Sequence, residues 1–212
     1  MSSKNREIKE RWGNYKASFF KNELQINRFQ VMQKWEDNYM KNLASVVTKK
    51  GGDILEIGFG LGLSAGYIQR SRKIKSHVII ECHPDVIQRA QRMFINQISK
   101  GKMTLINGFW EDITQKFKDE SFNGILFDTN PLNQEVVFFH FFSFFKEAYR
   151  LLRKRGVFTY FSDEPREFSK KHLNQLKTVR FSKIDYKICR VNPSESCRYW
   201  KHNTILVPII TK

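Results

Sequence analysis

Ile54-Leu55-Glu56-Ile57-Gly58-Phe59-Gly60-Leu61-Gly62 decides how the rest of this 212-residue chain is read. A short apolar run meets three glycines at alternate positions. The run has the length of a buried strand. The glycines let the backbone turn sharply and let a ligand approach it where a Cβ would clash. A dinucleotide-binding turn reads G-x-G-x-x-G, and Gly58, Gly60 and Gly62 depart from that spacing. An acid inside the strand, Glu56, is the second distinguishing mark.

Outward from this stretch the pattern alternates. Strands are expected over residues 53–58, 77–81, 102–107, 124–128 and 156–161, with a helix after the glycines running to about residue 70 and further helices over 84–99 and 133–153. That alternation implies βαβ units, hence an α/β fold with a central, mostly parallel sheet flanked by helices. A helix near 170–177 precedes strand-like runs at 184–191 and 204–210, close enough to pair antiparallel at one edge. The first fifty residues read as helical and polar, with apolar positions at Phe29, Met32, Tyr39, Met40 and Leu43. The expected organisation is a single domain, 1–212: an N-terminal helical cap (1–50), a cofactor-binding core (51–161), then a substrate-side loop with closing strands (162–212).

A hydrophobic content of 41% suits a globular domain. No apolar run reaches the roughly 20 residues that span a bilayer, and Met1 to Arg11 lacks the apolar core of a secretory signal. A cytoplasmic protein without a membrane partner is expected. Cys82, Cys189 and Cys197 match no zinc spacing and read as buried free thiols, so no metal site is expected. The net charge of +16 divides unevenly: +6 over residues 1–50, 0 over 51–145 and +10 over 146–212. No RNA-binding motif accompanies it, so it reads as a lysine-rich surface and nucleic acid is not expected as a partner. Oligomeric state is left open, a homodimer included.

Glu81 ends the apolar strand Val78-Ile79-Ile80, about twenty residues beyond the glycines, where a carboxylate accepts both hydrogen bonds of a ribose diol. Gly108-Phe109-Trp110-Glu111-Asp112 follows the third strand and offers an aromatic face and acids to an adenine. The acid-x-Gly-x-Gly pattern of Glu56, Gly58 and Gly60 resembles the first motif of class I methyltransferases, which implies that S-adenosylmethionine is the cofactor and S-adenosylhomocysteine its product. Asp128 stands at the end of the fourth strand, where open α/β sheets bind ligands. Amino-methyltransferases of RNA and DNA place an N/D-P-P-Y/F/W turn there. Asn130-Pro131-Leu132-Asn133 has neither the second proline nor the aromatic, which counts against an RNA methyltransferase.

Trp35-Glu36-Asp37-Asn38-Tyr39-Met40, Leu55 to Gly60, Ile79-Ile80-Glu81-Cys82, Gly108 to Asp112, Gly124 to Thr129 and the tail Ser196-Cys197-Arg198-Tyr199-Trp200 together resemble guanidinoacetate N-methyltransferase. The resemblance runs from about Phe29 to Phe161 and resumes near Arg190. It implies methyl transfer to a guanidino nitrogen of a small molecule or an arginine-containing peptide, with Glu36 and Asp128 as the catalytic carboxylates that hold the guanidinium. It implies cofactor contacts from Glu56, Gly58, Phe59, Gly60, Gly62, Glu81, Cys82, Trp110, Glu111 and Asp128. Substrate contacts are expected from Glu36, Tyr39, Met40, Asp128, Thr129, Asp163 and Glu164.

After the fifth strand the resemblance lapses. The family carries an L-T-S-W-G-E-like segment that holds the substrate carboxylate, whereas this chain reads Phe161-Ser162-Asp163-Glu164-Pro165-Arg166. Acids at Asp163 and Glu164 repel a carboxylate and attract an ammonium, with Arg166 opposing them. The expectation is a larger or more cationic guanidine, such as arginine, an arginyl peptide or an agmatine-like amine; guanidinoacetate itself is the alternative. Phe138, Phe139, Phe141, Phe142, Phe144 and Phe145 around His140 read as core packing at helical spacing.

Overall fold

The computed structural model describes residues 3–130 and 140–212. Helix α1 (Ser3–Asn14) leads to a three-stranded antiparallel sheet, β1 (Ala17–Phe19), β2 (Glu23–Ile26) and β3 (Phe29–Gln33). A 3-10 turn, Lys34–Glu36, then enters helix α2 (Asp37–Thr48). This corrects the expectation of a helical first fifty residues. Ile26 pairs with Phe29 across Asn27 and Arg28, whose φ angles of 49° and 66° are those of a type I′ hairpin turn. Asn tolerates that geometry but Arg does not favour it, and no glycine marks the turn. Leu24 and Ile26 are buried between the half-buried Glu23 and Gln25, an alternation only four residues long.

From β4 the chain follows the expected alternation: β4 (Gly52–Ile57), α3 (Leu63–Arg70), β5 (Ile74–Glu81), α4 (Pro84–Met93), α5 (Ile95–Ser99), β6 (Met103–Asn107), α6 (Trp110–Ile113) and β7 (Phe122–Phe127). A 3-10 turn, His140–Phe144, precedes α7 (Phe145–Leu151), β8 (Leu152–Tyr160), α8 (Lys170–Thr178), β9 (Lys183–Arg190) and β10 (Thr204–Thr211). The expected helix over 84–99 breaks at Phe94, whose ring is buried against Phe59. The expected helix over 133–153 ends at Leu151, because Leu152 already pairs with Phe122 in the sheet. Its beginning, with Phe138 and Phe139, lies outside the described residues.

The seven strands take the order β6-β5-β4-β7-β8-β10-β9. The first five are parallel, and β10 runs antiparallel to both β8 and β9. Side chains alternate across it. Leu55, Ile57, Ile125, Phe127, Phe158 and Tyr160 face the aromatic cluster that includes Phe141, Phe144 and Phe145. Ile54, Leu126 and Val157 face Tyr39, Met40 and Leu43 of α2. Strand order reverses between β4 and β7, so the chain leaves their carboxyl ends in opposite directions and opens a crevice there.

Gly58 makes that opening possible. Its φ is +87°, and a Cβ on it would stand 1.9 Å from the Asp128 carbonyl oxygen. Gly101, at φ +68°, has nothing within 4 Å of the same position. Gly101→Ala should therefore cost only the left-handed penalty of about 1 kcal/mol. Gly58→Ala should lose clearly more in denaturant unfolding, and equal losses would mean the contact is not tight.

Candidate active site

The crevice is walled by the loops that follow β4, β5, β6, β7 and β8, and on its open side by the N-terminal segment. Gly58 and Gly60 line it after β4. Glu81 lines it at the end of β5, with Oε2 accepting from Phe59 N–H at 2.9 Å and Oε1 from His83 N–H at 2.8 Å. The two backbone donors hold the carboxylate fixed and leave lone pairs on both oxygens for a diol. Cys82 lines the crevice beside it, only half-buried rather than fully so, and burial with the Glu81 charge pushes its thiol up and keeps it protonated. Trp110 both lines the crevice and packs edge-on against Phe127 and Phe144, with ring centroids at 5.9 and 5.1 Å.

Four residues expected at the cofactor are placed elsewhere. Glu56 is fully buried beneath the loop, accepting from Ser64 Oγ with its other oxygen 2.9 Å from His77 Nε2. It braces the start of α3 and acts on the crevice only through its charge. Phe59 contributes its backbone N–H, while its ring turns into the core against Phe94. Gly62 caps α3 at φ +77° with the Phe59 ring beneath it. Glu111 turns toward Lys9, whose Nζ lies 3.7 Å from its Oε2.

Glu36 and Asp128 line the same crevice. Glu36 is 2% exposed, and its Oε1 accepts from Gln33 N–H at 2.8 Å and from Tyr199 Oη–H at 2.5 Å. Burial raises its carboxyl to about 8; the Asp128 charge adds to the rise, and the Tyr199 and Gln33 bonds oppose it. Asp128 follows β7, its N–H bonded to the Ile57 carbonyl at 2.9 Å. Burial, then the Glu56 and Asp163 charges, raise its carboxyl to about 7. Thr129 and Asp163 also line the crevice.

Three expected substrate residues do not line it. The Tyr39 hydroxyl donates to the Leu206 carbonyl at 2.8 Å and accepts from Ser162 N–H at 3.3 Å, which ties α2 to the loop after β8. Met40 is fully buried against the sheet. Glu164 turns toward α8, accepting from Ser169 N–H at 3.1 Å with His172 Nδ1 at 3.4 Å.

The site also holds residues to which the sequence assigned no part. Tyr199, quoted above only as part of a tail motif, is the donor that fixes Glu36. Met32 covers the glycine loop, its Sδ accepting from Leu61 N–H at 3.3 Å. Trp12, Leu24 and Ile26 complete the apolar wall. The signal for Leu24 and Ile26 was the alternation in β2, hidden by the missing turn glycine.

A model of the guanidinoacetate N-methyltransferase family matches residues 1–212. Protein arginine N-methyltransferase 2 of Yarrowia lipolytica is 31% identical over 140 residues, covering 62% of this chain and 28% of that protein. The Candida glabrata protein of the same name is 32% identical over 143 residues, covering 64% and 33%. The chain thus spans a third or less of the length of these curated relatives. Among solved structures, spermidine synthase of Thermotoga maritima superposes with a TM-score of 0.62 at 15% identity, covering 92% of this chain and 72% of that one. TYW2 of M. jannaschii, in complex with AdoMet, gives 0.59 at 12% identity, covering 93% and 84%. At such identities the likeness is one of fold.

The raised carboxyls make stability depend on pH in a definite direction. Both groups hold a proton in the folded chain at pH values where the unfolded chain has released it, their ordinary values being 4.5 and 3.8. Their stabilising contribution is full below those values and is lost as pH rises through about 7 to 8. The melting temperature of the ligand-free protein should fall between about pH 5 and pH 9, and Glu36→Gln should flatten part of that fall. Parallel curves for the two proteins would show that Glu36 is not perturbed.

Proposed function

We propose, since the chain belongs to the guanidinoacetate N-methyltransferase family, that it is an S-adenosylmethionine-dependent methyltransferase acting on a guanidino nitrogen of a small molecule or an arginyl substrate. The observation that carries this reading is the Glu36–Asp128 pair, two carboxylates sharing one crevice at the switch point of the sheet. Carboxyls so buried keep their protons when alone, and a bound cation is what favours their ionised forms. A guanidinium is planar, with N–H donors along several edges, and suits carboxylates better than a round ammonium does.

The crevice fits the cofactor on independent grounds. Gly58 and Gly60 leave backbone bare where a Cβ would meet Asp128 or Met32, and Glu81 presents a fixed carboxylate for the ribose. Trp110 flanks the adenine side. When bound, S-adenosylmethionine supplies an electrophilic methyl on a sulfonium and leaves as S-adenosylhomocysteine. The division of labour we infer gives residues 1–50 to the cover, 51–161 to the cofactor and 162–212 to the substrate side.

A guanidinium is a poor nucleophile because its lone pairs are delocalised and its pKa exceeds about 12. Glu36 and Asp128 draw positive charge toward the nitrogens they bind, which leaves the remaining nitrogen richer in electrons. The nitrogen that gains the methyl must shed a proton. Asp128, whose carboxyl titrates near 7, is suited to take it. The rest is positioning: Tyr199 and Gln33 fix Glu36, and β7 fixes Asp128.

Incubation with S-adenosylmethionine and guanidinoacetate, arginine, agmatine or an arginyl peptide should yield a guanidine heavier by one methyl group. Failure across the set would sink the reading. Asp128→Asn should lower kcat by roughly a hundredfold or more while cofactor binding, measured calorimetrically, holds. Loss of cofactor affinity alone would assign Asp128 to the wrong partner.

A further inference from the structure

The seven-stranded sheet ends on an open strand. β9 is last in the order, so one side of it carries backbone groups with no strand beside them. The ladder tells which groups those are. Val191 N–H donates to the Asn203 carbonyl at 2.9 Å, in the same register that pairs Cys189 with Ile205 and Lys187 with Val207. Bonding alternates along an antiparallel ladder, so the odd-numbered residues of β9 bond β10 and the even-numbered ones turn their N–H and C=O groups outward. Leu206, opposite Ile188, agrees: its N–H goes to the Glu164 carbonyl on the other side of β10. Among the described residues the outward groups of Ile184 and Ile188 meet no partner. The Arg190 carbonyl accepts from Asn38 Nδ2 at 3.3 Å, which closes the open stretch at that end.

An open edge recruits a further strand unless its side chains prevent it. Lys183, Asp185, Lys187 and Arg190 are all exposed along this one. Their order is symmetric about Tyr186. Asp185 and Lys187 flank it with opposite charges, and Ile184 and Ile188 flank those. Consider a second copy of β9 laid antiparallel on the edge with the two Tyr186 residues opposite. Asp185 then faces Lys187 twice, and Ile184 faces Ile188 twice. Tyr186 is an outward residue, so the copies exchange N–H···O=C bonds there and again between Ile184 and Ile188. The charged pairs fall between these, at the positions where side chains of neighbouring strands stand closest. Lys183 and Arg190 face Cys189 and Ser182, so no like charges stand opposite. A shift by two residues sets Asp185 against Asp185 in one direction and Lys187 against Lys187 in the other. Charge thus selects this alignment among those that keep the backbone bonded.

The single chain gives up little to adopt it. Tyr186 N–H donates to Asp185 Oδ1 at 2.8 Å, and Lys183 Nζ stands 3.2 Å from Oδ2. Both contacts are exposed, where an ion pair contributes little. Pairing moves the Tyr186 N–H to a carbonyl and gives Asp185 the lysine of the second copy. Ile188, 55% exposed in the single chain, gains cover from Ile184.

We propose that β9 is the surface on which a second copy of this chain docks, continuing the sheet through a two-fold axis at Tyr186. The inference is independent of the guanidine reading, since no residue of β9 lines the crevice. Paired edges bury little surface, so a dissociation constant of about 1–100 µM is expected in sedimentation equilibrium. Asp185→Lys and Lys187→Asp should each weaken association by roughly tenfold or more, because each sets like charges opposite one another twice. Mixed in equal amounts, the two variants should associate as the wild-type chain does, since one edge then offers only lysine at these positions and the other only aspartate. A folding defect in either variant would not be repaired by mixing, and thermal unfolding of each checks the fold directly. A wild-type chain still monomeric at about 1 mM, a dimer indifferent to both substitutions, or variants that stay apart when mixed overturns the inference.

Discussion

Two carboxylates in one crevice, with no described cation between them, cost free energy that the surrounding architecture has to offset. Desolvation of each favours the protonated forms, with the Asp128 charge adding to it at Glu36 and the Glu56 and Asp163 charges adding to it at Asp128, and the raised values express that cost. The fold keeps them in place from several directions. Asp128 is stitched to β4 through the Ile57 carbonyl, and Gly58 gives way so that the two strand ends can come so close. Glu36 is held by a backbone donor three residues earlier and by the Tyr199 hydroxyl. These bonds hold both carboxyls in position without a ligand.

The parallel core was legible in the sequence because each of its signals is local. An apolar strand and a run of glycines stand within a few residues of one another, and Glu81 ends the next strand and lines the crevice. The N-terminal sheet was not legible. Its hairpin turns on Asn27 and Arg28 without glycine, and its strands are three to five residues long. A pattern that short does not outweigh helical propensity on either side. The antiparallel pairing of the last two strands was read from their proximity and is present over all eight residues of β10.

Acidic residues show most clearly what a sequence leaves open. Glu36, Glu56, Glu111, Asp163 and Glu164 all had plausible places at a ligand, yet only Glu36 and Asp163 line the crevice. Glu56 and Glu164 each found a histidine and a local donor instead, His77 with Ser64 and His172 with Ser169. A buried carboxylate must be satisfied by something, and whether that is a ligand or a neighbouring helix depends on contacts many residues away. Tyr39 is the same case among hydroxyls: its motif pointed to the substrate, and Leu206 claims it.

The bond between Tyr199 and Glu36 joins residues 163 apart in the chain. Closing so long a loop is paid for only after the intervening sheet has formed. The β-sheet can therefore assemble while this last contact is still open, and in such a chain Glu36 has lost the hydroxyl that orients it. The crevice thus depends on the docking of the Lys34–Glu36 turn against the β9–β10 connection as well as on the sheet. A break of that one contact would free the Glu36 carboxyl from its hydroxyl donor while leaving the ladders of the sheet intact.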